Sequence, residues 1–142
     1  MRPNKSHLSR DLQQGIVKTI SDRLPLTTAI YLYGSVVTEM FRADSDVDIA
    51  VLILEPLTVD DVIYFKNNLG LLLRRDIDLL DMRRASVEMA FSVLRSSIQI
   101  FSADLLLVGL YETALMSMWS DLQIDRREIV EDIAKRGHVY GC

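Results

Sequence analysis

Apolar residues in the first half of the chain recur with two different periods. A spacing of four predicts an amphipathic helix that ends near Pro25, with apolar positions at Leu8, Leu12, Ile16 and Ile20. The short segment 29–33 (AIYLY) is aromatic and β-branched and stops at Gly34, which predicts a strand that runs into a tight turn. Segment 46–54 (DVDIAVLIL) alternates between apolar residues and others, which predicts a second strand with one core-facing side.

The middle of the chain continues the alternation of helix and strand. Thr58 followed by Asp61 is typical of a capping box, and the apolar spacing after it predicts a helix to about Arg74. Segment 76–82 (DIDLLDM) predicts a third strand, 86–95 a helix and 98–101 (IQIF) a fourth strand. Strands that alternate with helices at such short spacing predict an α+β fold, with a small mixed β-sheet and helices packed mainly on one face.

The remainder of the chain has only the helical period. Apolar positions from Leu105 to Trp119 predict one helix, and Asp125 with Glu128 predicts the cap of a separate last helix. We therefore expect the 142 residues to form a single domain, with a core of about 8–103 and a helical tail of about 104–142.

Composition and charge exclude several classes of protein. Hydrophobic residues make up 49% of the chain and charged residues 25%, which indicates a folded globular protein. No apolar run is long enough to cross a bilayer, the first residues have no apolar leader, and Cys142 is the only cysteine, so we expect a cytoplasmic protein without disulfides. The net charge of -4 argues against direct binding of nucleic acid through bulk electrostatics.

Two carboxylates at the start of the second predicted strand are the main candidates for chemistry. Asp46 and Asp48 are separated by one residue, so on a strand they project from the same face. Carboxylates in this position repel each other, and a divalent cation that accepts oxygen ligands from both removes that cost. Mg²⁺ usually combines one or two protein carboxylates with phosphate oxygens, which indicates a nucleoside triphosphate as co-substrate.

The residues around this pair complete the predicted site. Gly34 allows close approach of the backbone, and the Ser35 hydroxyl with nearby N–H groups can hold phosphate oxygens. A third carboxylate would allow two metal ions, and Asp76, Asp78 and Asp81 are the candidates. Asp76 and Asp78 share a strand face that Asp81 does not, and Asp78 lies within the apolar run, which favours Asp78.

This pattern resembles a known enzyme family. Gly34-Ser35, a gap of ten residues, Asp46-x-Asp48 and a later acid on a strand are similar to the polymerase-beta-type nucleotidyltransferase superfamily, in particular its minimal nucleotidyltransferase (MNT) branch. The resemblance covers about residues 8–103, and the tail is also similar to MNT proteins encoded beside HEPN-domain ribonuclease toxins. It implies that Gly34 and Ser35 hold the triphosphate, Asp46 and Asp48 the metals, and Asp78 the metal nearest the attacking hydroxyl.

The resemblance also implies an activity and a partner. MNT antitoxins transfer AMP from ATP, with Mg²⁺, to a tyrosine of their HEPN toxin, which implies a protein adenylyltransferase in a hetero-oligomer with that toxin. Two positions depart from the family pattern, because Val36 replaces a frequent basic residue and Glu39 a second glycine. The alternatives are nucleotidyl transfer to a small-molecule hydroxyl, as in aminoglycoside-modifying relatives, and an antitoxin that inhibits only by binding.

Overall fold

The computed structural model describes the backbone of residues 6–140 and the side chains of residues 6–135, so Cys142 lies outside the described residues. Four strands are present there: β1 Thr27–Tyr33, β2 Val47–Ile53, β3 Ile77–Asp81 and β4 Ile98–Ser102. The same part of the chain contains four α-helices: α1 Arg10–Arg23, α2 Val59–Leu73, α3 Val87–Ser96 and α4 Leu105–Tyr140. A short 3-10 helix, Gly34–Val37, follows β1 directly.

The strands form one mixed sheet in the order β3-β2-β1-β4. Strand β1 is antiparallel to β2 and to β4, and β2 is parallel to β3. A parallel pair needs a crossover connection, and α2 provides it between β2 and β3. The predicted α+β class with a mixed sheet is confirmed. The topology brings the end of β1 to the same edge as the starts of β2 and β3.

The sheet has apolar side chains on both faces. One cluster joins one set of alternating strand residues to α1 and α2, and it includes Ile16, Ile20, Ile30, Leu32, Ile49, Val51, Phe65 and Leu69. The other cluster joins the alternate strand residues to α3 and α4, and it includes Ala29, Tyr31, Ala50, Leu52, Ala90, Val93, Val108 and Leu115. Helices therefore cover both faces, where the sequence had predicted mainly one. The reason is that the central strands β1 and β2 carry apolar side chains on both sides and each side needs a cover.

Side-chain caps define the starts of the helices. Ser9 accepts a hydrogen bond from the Leu12 N–H at the start of α1, and Ser86 does the same for α3. The capping box predicted at Thr58 is confirmed, because the Thr58 hydroxyl accepts from the Asp61 N–H and the Asp61 carboxylate from the Thr58 N–H. These caps satisfy N–H groups that the helices leave unpaired.

The tail is one continuous helix. Asp104 caps α4 by accepting hydrogen bonds from the N–H groups of Leu106 and Leu107. Asp125 and Glu128 lie inside α4, so the predicted separate last helix was wrong. No glycine or proline occurs between residues 110 and 136, and a polar residue alone does not interrupt a helix. Among the described residues, no helix is both long and apolar enough to span a membrane.

Candidate active site

Tyr33, Asp48 and Asp78 lie side by side on three neighbouring strands, at the end of the sheet where β1 finishes and β2 and β3 begin. Backbone pairing places Tyr33 opposite Asp48, and Asp48 beside Asp78. Residues paired in register on neighbouring strands, about 4.8 Å apart, project from the same face of a sheet. The phenol and the two carboxyl groups therefore lie together, on the face that α3 and α4 cover farther along the strands.

The charges of two other acids affect Asp48. Burial raises the pKa of Asp48, and the nearby charges of Asp78 and Asp46 and a hydrogen bond with the Asp78 carboxyl raise it further. Asp46 is exposed and lies one residue ahead of β2, so it reaches the group from the loop and not from the strand. Asp78 thus lies in contact with Asp48, and Asp46 is close enough to act on Asp48 through its charge.

Tyr33 belongs to the same electrostatic cluster. Burial, followed by the charges of Asp78 and Asp48, raises the pKa of the Tyr33 phenol to about 12. The phenol is therefore protonated at neutral pH and can donate a hydrogen bond. The residue is 9% exposed, so little of its ring is in contact with solvent.

Gly34 is required by the position of Asp48. Its φ of +72° lies in the left-handed region, and a Cβ atom built on it would lie 2.0 Å from Oδ2 of Asp48. Any larger residue would strain the backbone and push the carboxylate away. Gly34, which the sequence predicts to allow close approach of the backbone to phosphate, thus also fixes where the Asp48 carboxylate can lie.

The 3-10 helix after β1 presents Ser35 at the same edge. The Ser35 carbonyl accepts hydrogen bonds from the Thr38 N–H at 2.9 Å and the Thr38 hydroxyl at 3.1 Å, which closes the turn. The Ser35 hydroxyl makes no hydrogen bond to another described residue, so it is available to a ligand. Val36 is fully buried in the α1–α2 cluster, and Glu39 is exposed. The two departures from the family pattern are therefore a packing residue and a solvated acid.

The loop that leads to Asp46 is held by Arg75. The Arg75 guanidinium donates to the carbonyls of Arg42 at 2.5 Å and Ser45 at 3.0 Å, and it lies 4.0 Å from the centre of the Phe41 ring. The His7 ring also stacks on the Phe41 ring, with 5.3 Å between ring centres. Arg75 thus anchors the residues just ahead of Asp46, which orients the start of β2.

The other two candidates for a third acid have different surroundings. Asp81 accepts hydrogen bonds from the N–H groups of Leu57 at 3.3 Å and Arg83 at 3.1 Å, so it holds two loops together. Asp76 is exposed ahead of β3. Asp78 is beside Asp48 but is itself exposed, so the apolar setting predicted for it was wrong. The reason is that β3 is an edge strand of the sheet.

Asp46, Asp48 and Asp78 have the donor chemistry for a divalent cation. Their mutual repulsion, seen in the raised pKa of Asp48, is the cost that a bound cation removes. Within residues 6–135, no three acidic, histidine or cysteine side chains form a complete metal-binding cluster. The neighbouring carboxylates of Asp48 and Asp78 fit Mg²⁺, which takes one or two carboxylates from the protein and the rest of its ligands from phosphates and water.

A groove of about 1030 Å³ lies between α2 and the residues just ahead of β2 and β3, and Asp46, Asp48 and Asp78 are not among its lining residues. Ser45 and Asp76 line it next to the starts of β2 and β3, and three basic residues, Lys66, Arg74 and Arg75, lie along its walls. Positive charge at the rim of a cleft attracts phosphate groups and acidic protein segments.

Comparisons with known proteins agree with this geometry. The family model described as "Polymerase beta, Nucleotidyltransferase" matches residues 15–105. The chain is 31% identical over 123 residues to the protein adenylyltransferase MntA of Shewanella oneidensis, which covers 83% of this chain and 84% of the relative.

Solved structures extend the comparison to the fold. A crystal structure of a toxin–antitoxin with AMP-PNP matches with a TM-score of 0.75 and 29% identity, over 89% of this chain and 99% of that chain. A complex of a tri-AMPylated Shewanella oneidensis HEPN toxin with its MNT antitoxin matches with a TM-score of 0.72 and 28% identity, over the same shares. Each likeness covers nearly the whole of the solved chain.

Two residues of the site were not found by sequence reasoning. For Tyr33, the sequence signal that could have indicated a place in the site was its position directly before Gly34, at the end of a predicted strand. For Arg75, nothing in the sequence indicated that its side chain would contact Arg42 and Phe41 and hold the loop ahead of Asp46. Contacts between segments more than 30 residues apart have no local signature.

Proposed function

The chain belongs to the polymerase beta nucleotidyltransferase family, and from that premise we propose that it is an antitoxin that transfers AMP from ATP to a tyrosine hydroxyl of a cognate HEPN ribonuclease toxin. The observation that carries the proposal is the meeting of Asp46, Asp48 and Asp78 beside the Gly34–Ser35 turn. The similarity to MntA and to an antitoxin bound to an AMPylated HEPN toxin supports this acceptor and a hetero-oligomeric complex. We propose that the reaction takes place in the cytoplasm, where ATP and RNA are present.

The reaction is a substitution at the α-phosphorus of ATP. The tyrosine oxygen forms a bond to that phosphorus, the bond to the oxygen that bridges to the β-phosphate breaks, and pyrophosphate leaves with the electron pair. The hydroxyl proton passes to a carboxylate of the site or to water. The protein's part is to hold the reacting atoms in line and to balance charge.

We assign the parts of this task to individual residues. The Ser35 hydroxyl and the backbone at Gly34 hold the triphosphate, which the likeness to a complex with AMP-PNP supports. Asp46, Asp48 and Asp78 would hold Mg²⁺ as a pair of ions, and the metal would neutralise charge on the phosphates. Asp78 orients the acceptor hydroxyl, because it is exposed and lies on the edge strand β3.

The purified chain, ATP, Mg²⁺ and the purified product of the adjacent toxin gene provide the test. We expect the toxin to gain mass in steps of one AMP, to lose ribonuclease activity, and to show neither effect with Asp48→Asn. Removal of Mg²⁺ by a chelator stops transfer. An Asp48→Asn variant that still neutralises the toxin would show inhibition by binding alone and would overturn the proposal.

The assignment of the third acid has a separate test. Asp78→Ala lowers the turnover number by about 10²-fold with a small change in ATP affinity, because its proposed role is at the acceptor. Asp76→Ala is the matched control on the same segment and leaves turnover within about twofold. If Asp76→Ala were inactive and Asp78→Ala active, the assignment would be wrong. Retained transfer in both variants would remove the third acid from the mechanism.

A further inference from the structure

Helix α4 continues well beyond the region that it covers. Its 36 residues correspond to about 54 Å at 1.5 Å per residue. Val108 and Leu115 are buried against the sheet, and the Trp119 ring stacks on Phe91 at 4.2 Å between centres. Arg126 forms an ion pair with Glu88 of α3. Every described side chain from residue 124 to residue 135 is exposed, so the second half of the helix projects from the domain.

The face of α4 that packs against the domain does not end where the domain ends. Its positions are alternately four and three residues apart, and they run through Val108, Glu112, Leu115, Trp119, Leu122, Arg126, Ile129 and Ile133. This spacing keeps side chains on one side of a helix and is the pattern of helices that pack along their length. Ile129 and Ile133 therefore continue the packing face, yet they are 58% and 63% exposed.

The exposed end of this face is a costly feature in an isolated chain. Val130 lies beside Ile129 on the same side and is 64% exposed. Burial of such apolar side chains is favourable, and a helix segment without tertiary packing is marginal in water. A protein surface that covers Ile129, Val130 and Ile133 would recover that free energy.

Charge distinguishes between the possible occupants of this face. Residues 120–135 contain five acids, Asp121, Asp125, Glu128, Glu131 and Asp132, against three bases, Arg126, Arg127 and Lys135. One of those bases, Arg126, already pairs with Glu88 of its own chain. Two copies of the segment packed together would bring negative segments against each other, which disfavours a homodimer. A basic partner is attracted to the same surface, and a ribonuclease needs positive charge for its RNA.

We propose that the face formed by Ile129, Val130 and Ile133 of α4 is the surface on which the HEPN toxin docks. This proposal rests on the proposed function, from which the partner is taken. The first half of α4 is not part of this surface, because Val108 and Leu115 lie in the core and Trp119 packs on Phe91. Deletion from Asp104 onward would uncover the sheet, so point substitutions are the appropriate test.

Two isoleucines on opposite sides of α4 provide a matched pair. Ile129 is 58% exposed and lies on the proposed docking face, and Ile124 is 54% exposed and lies on the opposite face. Ile129→Asp and Ile124→Asp introduce the same charge into the same helix. We expect Ile129→Asp to raise the toxin Kd, and the KM for toxin, on the order of 100-fold with kcat unchanged. Ile124→Asp stays within about threefold of wild type, and circular dichroism shows equal helix content.

The result that would overturn the proposal is an equal effect of the two variants on Kd. Loss of self-association in Ile129→Asp without a change in toxin affinity would assign the face to a second copy of this chain, which also overturns it. Asp48→Asn distinguishes this outcome from a failure of the proposed function, because it should abolish transfer and retain toxin binding. If the toxin binds the wild type but is never AMPylated, the proposed function fails and the comparison of the two isoleucine variants still decides the docking face.

Discussion

The two sides of strand β2 are built for different tasks. On one side Val47, Ile49 and Val51 are completely buried against α1 and α2. On the other side Ala50 and Leu52 pack toward α3 and α4, but Asp48 begins the series at the edge of the sheet. Val47 and Ile49 thus belong to the core, whereas Asp48, which lies between them in the sequence, belongs to the candidate site. Stability and chemistry can therefore be changed separately within one strand.

The physical reason is the alternation of side chains along a strand. Asp48 keeps its unfavourable neighbours, Asp46 and Asp78, because the apolar residues on the opposite side hold the strand in place. Like charges placed together cost free energy that a bound cation returns. The site therefore lowers stability locally, and the apolar residues on the opposite side of the sheet compensate for that loss.

The largest effect is expected for Asp48→Asn. We expect AMP transfer to fall by about 10³-fold, equivalent to about 4 kcal/mol in the barrier, because the metal-binding charge is lost at nearly constant shape. The free energy of unfolding of the metal-free protein should stay equal or rise, since a repulsion is removed. Transfer kinetics and chemical denaturation measure the two quantities. A large drop in stability with activity retained would contradict the separation of the two sides.

Ile49→Ala is the complementary change on the adjacent residue. Ile49 is completely buried, and loss of its side chain leaves a cavity in the α1–α2 cluster. The free energy of unfolding should fall by about 3 kcal/mol. Below the melting transition, kcat for the folded protein should remain within about twofold of wild type. A kcat that fell together with stability would show that the core side also determines the geometry of the acids.

Gly34→Ala changes a residue that should affect both the stability of the fold and the position of Asp48. The left-handed φ should cost about 1–2 kcal/mol of stability, and displacement of the Asp48 carboxylate should lower transfer by roughly 30-fold. Gly109→Ala is the control, because nothing lies within 4 Å of a Cβ atom there and Gly109 is inside α4. That variant should gain up to about 1 kcal/mol in stability. Wild-type transfer by Gly34→Ala would mean that the position of Asp48 is not critical.

The smallest effect is expected for Asp61→Asn, in the first turn of α2, the helix that packs on the apolar side of β2. Burial favours a higher pKa for Asp61, but hydrogen bonds from Thr58 and Arg23 and the Arg23 charge outweigh it and lower the pKa below 3.8. A lowered pKa means that the carboxylate stabilises the fold above its ordinary pKa and that this contribution disappears as the pH falls through the folded-state value. Asp61→Asn should therefore lose about 0.5–1 kcal/mol at neutral pH and nothing in strong acid.

Denaturation curves at several pH values measure this difference. Asp60→Asn is the control, because it removes an acid from the same first turn of α2 without removing the contacts to Thr58 and Arg23. A pH-independent difference between Asp61→Asn and wild type would show that the ion pair contributes nothing.

Much of the fold could be predicted because its signals are local. The Thr58–Asp61 capping box, the strand that ends at Gly34 and the strand that carries Asp48 each depend on a few neighbouring residues. The prediction of a separate last helix failed for the same reason, since Asp125 and Glu128 have the local form of a cap inside a longer helix. The division into a core and a tail in one domain stays a prediction, although Val108 places the start of α4 in the core.

The sequence alone determined the chemistry that is available: Gly34 and Ser35 after a strand, and Asp46 and Asp48 at the start of another. Spacing and strand geometry were sufficient because these residues are related by the backbone of short segments. Only the tertiary structure decided that Asp78 joins Asp48, through the parallel pairing of β2 with β3 across the α2 connection. It also decided which part of α4 is core and which part is exposed. These relations depend on packing between distant segments, and a local pattern of apolar residues is the same whether or not another surface covers it.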